Sequence, residues 1–97
     1  MIEIRNINLL FDDLWPLMPY AIEHKQNCLS SINTIQTVFK RHSTDHNALL
    51  NQLNLIDGIG LTIASGLIWS VYPNKRVPFD KFTLTYVKEV SVRFLSK

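Results

Sequence analysis

The chain has 97 residues and weighs 11.2 kDa, which leaves room for one domain, residues 1–97. Hydrophobic residues make up 46% and charged residues 19%, a balance that excludes intrinsic disorder. Ten Lys and Arg against eight Asp and Glu give +2, too small an excess for a polybasic nucleic-acid binder. The mean hydropathy of +0.05 is high for a small soluble chain and leaves apolar surface over for a partner. The single cysteine, Cys28, excludes an intramolecular disulfide and a cysteine-based metal site, and points to a reducing compartment, the cytoplasm. Met1-Ile2-Glu3-Ile4-Arg5 lacks the basic run and apolar stretch of a signal peptide. The longest apolar stretch, Leu61 to Tyr72, is 12 residues long, too short to span a bilayer, so no membrane partner is expected.

Residues 2–10 are ambiguous: Ile2-Glu3-Ile4-Arg5 alternates as a strand does, then the apolar positions slip out of period. Pro16 and Pro19 punctuate the chain, and Pro19 suits the first turn of a helix running to Leu29. Ser30-Ser31 is placed to cap a helix carrying Ile32, Ile35, Val38 and Phe39 and ending in the cations Lys40 and Arg41. Ser43-Thr44 reads as the cap of a short helix with Ala48, Leu49, Leu50 and Leu53. Gly58 and Gly60 then break the periodicity for one tight turn. The next helix, 61–72, is apolar almost all round and therefore central. Its small stripe, Thr62, Gly66 and Ser70, predicts the close approach of another backbone. The last segment, 81–95, carries Phe82, Tyr86, Val90 and Phe94 at i+4 spacing but also alternates; Asp80 as a cap and the basic end favour helix over strand. The fold class is thus mostly α, a small helical bundle.

The informative arrangement is helix 45–54, turn 55–60 and helix 61–72, which looks like a helix-hairpin-helix. A Gly-x-Gly turn at a helix N-terminus presents backbone amides with no side chain in the way, and the helix dipole adds positive charge. Such a seat binds phosphate with little net charge. Leu53-x-x-Ile56-Asp57-Gly58-Ile59-Gly60-x-x-x-Ala64, then an apolar helix, then Val77-Pro78-Phe79-Asp80, resembles the helix-hairpin-helix DNA glycosylases of the endonuclease III kind. Gly58 and Asp80 stand 22 positions apart, as the hairpin and the catalytic aspartate do in that family. The resemblance spans about residues 44–90.

That resemblance implies a phosphate-facing turn at Gly58, Ile59 and Gly60, with Thr62 beside it. The short basic pairs Lys40-Arg41 and Lys75-Arg76 read either as flanking phosphate contacts or as ordinary surface charge. The resemblance implies a monovalent cation on the carbonyls of residues 55–60 as the one cofactor to look for. It also places Asp80 where the family's aspartate stabilises the cationic sugar or activates a nucleophile. There are departures. Thr62 stands where lyase members carry a Schiff-base lysine, Asp57 puts a negative charge beside the seat, and no cysteines follow for an iron–sulfur cluster. Family enzymes flip a base into a pocket between two domains, about twice this length of chain. Capping alone also accounts for Asp80, and a plain tight turn for the two glycines.

The expectation is therefore sequence-independent binding of the duplex DNA backbone, without glycosylase activity by this chain alone. A partner-completed glycosylase using Asp80, and a structural protein that forms a homodimer or docks on a larger subunit, are the alternatives. His24, His42 and His46 lack a third ligand in sequence reach and read as solvated loop residues rather than a zinc site. Trp15, Trp69, Phe82 and Tyr86 read as core.

Overall fold

Ile7, Leu10, Phe11 and Leu14 recur at i, i+3, i+4 and i+7, a spacing that puts all four on one helical face. The computed structural model, which describes residues 1–73, buries all four. The N-terminal stretch is therefore helix and not strand: α1 spans Ile4–Asn8 and runs on as a π-helix over Leu9–Leu14. The widened turn ends where the Trp15 amide donates to the Leu10 carbonyl five residues back, at 2.8 Å. Trp15 precedes a proline and leaves the helical region, at φ −122° and ψ 50°.

After the turn through Pro16 and Pro19 come α2, Ala21–Ser30, and α3, Ile32–Arg41, separated by Ser31 alone. Ile35 and Phe39 anchor α3 in the core, while Lys40 and Arg41 close it against the negative end of its dipole. The next helix, α4, spans His46–Asn54. Its cap is Asp45 and not Ser43-Thr44: the Asp45 carboxylate accepts from the Ala48 amide at 3.1 Å, and Ser43 and Thr44 lie in the preceding turn.

The last described helix, α5, spans Leu61–Val71 and is buried without a break from Ile63 to Ser70. It packs against α4 on one side and against α1 and the π-helix on another. Its two buried serines satisfy themselves within the helix: Ser65 Oγ donates to the Thr62 carbonyl at 2.8 Å and Ser70 Oγ to that of Leu67 at 2.7 Å. The small stripe does admit a close neighbour, but a side chain rather than a backbone. The Trp15 indole lies flush on Gly66, so close that a Cβ there would fall 2.3 Å from Cη2.

Polar contacts fix the N-terminus on this spine. Asn6 Oδ1 accepts the Glu3 amide at 2.8 Å, and its Nδ2 donates to the Ser70 carbonyl at 2.8 Å. Gln36 Nε2 donates to the Ile2 carbonyl at 3.1 Å. The described residues thus form a small all-α bundle of five helices with no strand among them. No described helix is long and apolar enough to cross a membrane. The segment expected at 81–95 with its Asp80 cap, and Lys75 and Arg76, lie outside the described residues.

Candidate nucleic-acid interface

The chain leaves α4 through two tightening bonds, Leu55 N–H to Gln52 C=O at 3.2 Å and Ile56 N–H to Leu53 C=O at 3.1 Å. Gly58 then reverses the path at φ +83°, a left-handed conformation that costs a side-chain-bearing residue roughly 1 kcal/mol. Ile59 turns inward and is only 3% exposed, while Gly58 and Gly60 stand exposed on either side of it. The turn is thus pinned by one apolar anchor between two bare backbones.

Gly60 is the N-cap of α5, at φ −81° and ψ 178°. No side chain caps this helix, so its first-turn amides, from Leu61 to Ile63, have no protein acceptor among the described residues. A Cβ at Gly60 would meet nothing within 4 Å. Eleven residues of helix direct their dipole at this opening.

Gly58, Ile59, Gly60 and Thr62 fall within five positions, and the structure separates their roles. Gly58 shapes the turn and Gly60 keeps it open. Ile59 does not face an anion: its amide donates to the Ile56 carbonyl at 3.0 Å and its side chain is in the core. Thr62 is half-buried one residue into the helix, and its carbonyl accepts the Ser65 hydroxyl. Asp57 is exposed beside the opening. Of the carbonyls from Leu55 to Gly60, those of Ile56 and Gly60 already accept amides, from Ile59 and Ala64.

One neighbour was not foreseen. Asn27, exposed on α2, brings its carboxamide beside the turn, with Nδ2 3.2 Å from where a Gly58 Cβ would sit. Nothing local in the weakly patterned stretch around Asn27 announces that contact, which joins residues 31 positions apart.

No family model, no curated protein and no solved structure matches the chain.

Charge is distributed unevenly along the sequence. Residues 1–73 hold four Lys or Arg against six Asp or Glu, and residues 74–97 hold six against two. Within the described part, Arg5 lies 3.3 Å from Glu3 and Lys25 lies 3.0 Å from Asp12. The other two described cations, Lys40 and Arg41, are exposed in the last turn of α3.

The histidines are not loop residues throughout. His24 lies on α2 and His46 opens α4, where its ring stacks on Tyr72 with centroids 4.6 Å apart; His42 follows α3. No group of three or more His, Cys, Asp or Glu side chains able to hold a metal occurs among the described residues. Trp15 and Trp69 are core residues.

Cys28 is fully buried, and that burial pushes its thiol up to about 12. Alkylation by iodoacetamide at a pH near 8 is accordingly expected to be slower than for free cysteine by about a thousandfold, since about three pKa units separate the thiol from its ordinary value. Mass spectrometry of the native and urea-unfolded protein measures this, and equal rates would contradict the burial.

Proposed function

We propose that the protein binds the phosphate backbone of duplex DNA without reading its sequence, through the turn between α4 and α5. In this reading the two helices and their turn are a helix-hairpin-helix of the kind found in DNA glycosylases, used here for binding rather than base release. The observation that carries the reading is the bare N-terminus of α5: Gly60 opens onto free space, with uncapped amides behind it. An anion placed there satisfies amides that nothing else in the described fold satisfies. In this reading Lys75 and Arg76, two to three residues past Pro73, add positive charge to a described part that holds four Lys or Arg against six Asp or Glu. A monovalent cation on the free carbonyls of the turn would offset Asp57 and belongs to the same reading. Thr62 offers no amine for Schiff-base chemistry, so lyase activity is no part of it.

The test is a fluorescence-anisotropy titration of a labelled duplex at several salt concentrations, with wild type and Gly60→Glu. The substitution fills empty space at an ordinary backbone angle, so the melting temperature is expected to hold. Affinity is expected to fall at least about tenfold, as a carboxylate replaces the open seat. The wild-type salt slope should correspond to roughly two to four phosphates. Equal affinity in the two proteins rejects the turn as the site, and strong preference for one duplex sequence rejects backbone binding.

A further inference from the structure

We draw no further inference here: the strongest candidate, the open cleft of about 710 Å³ between α1, the π-helix and the end of α5, carries nothing because its Arg5 and Asp12 are already engaged by Glu3 and Lys25 and nothing in the structure shows what would fill it.

Discussion

Gly66→Ala is expected to lower the melting temperature of the protein by about 10–20 °C, from a net loss of about 2–3 kcal/mol. The added methyl would sit 2.3 Å from Cη2 and 2.7 Å from Cζ3 of Trp15, and 3.0 Å from Cδ1 of Leu10. None of these atoms belongs to a flexible chain end that can swing into solvent. The indole is fully buried and touches Phe11 edge to face at a centroid distance of 5.9 Å, and Leu10 is fully buried beside it. Alanine's advantage over glycine in a helix, about 1 kcal/mol, is outweighed because the methyl forces the first helix off α5. Trp15→Phe in the same chain removes the outer ring atoms that clash. Trp15 Nε1 has no hydrogen-bond partner among the described residues, so that change alters shape without orphaning a polar group. The double variant is therefore expected to be more stable than the two single losses added together, a coupling of at least about 1 kcal/mol in urea melts. A Gly66→Ala protein that melts with or above wild type would mean that Trp15 does not lie on α5.

This packing shows where sequence reasoning reaches and where it stops. The helical set Ile32, Ile35, Val38 and Phe39 defined α3, and unbroken apolarity marked α5 as the central helix, because both signals are local and periodic. Gly66 and Ser70 were legible as a place of close approach, but not its occupant, since Trp15 lies 51 positions away and no local pattern joins the two. The N-terminal helix was obscured by a mixed pattern. Ile7, Leu10, Phe11 and Leu14 keep helical spacing, but the alternating Ile2-Glu3-Ile4-Arg5 before them imitates a strand, and neither pattern says that the turn from Leu9 to Leu14 widens to a π-helix. At the start of α4, Ser43, Thr44 and Asp45 can all cap; backbone geometry decides among them, and the hydrogen bond goes to Asp45. In the turn, Gly58 was legible because only glycine takes its φ without strain. The inward rotation of Ile59 was not, because a Gly-x-Gly pattern does not say which way its middle residue points. Asp80, Lys75 and Arg76 lie outside the described residues, so their roles rest on the sequence.

Asn6→Asp is expected to destabilise the protein by about 3 kcal/mol at neutral pH, and by much less under acid conditions. Asn6 is 8% exposed and uses both ends of its carboxamide. Oδ1 takes the Glu3 amide, and Nδ2 donates to the Ser70 carbonyl on α5. Aspartate keeps the shape and the first bond. At neutral pH it sets a charged oxygen against the Ser70 carbonyl oxygen at a largely buried position. A protonated carboxyl restores the lost donor, so folding favours the protonated form and raises the carboxyl's pKa above its unfolded value of about 3.9. The native state then binds more protons than the unfolded state over the interval between the two values, and stability falls as pH rises through it. Relative to wild type, the deficit of Asn6→Asp is accordingly smallest below about pH 4 and full once the pH passes the raised folded pKa. Asn6→Ala, which loses both bonds and gains no charge, is expected to cost about 2 kcal/mol at every pH, and it separates the hydrogen bond from the charge. Thermal melts of the three proteins between about pH 3.5 and 7.5 give the comparison. A deficit for the aspartate variant that does not change with pH would show that its carboxyl is solvated, and hence that α1 is not fastened to α5 through the Ser70 carbonyl.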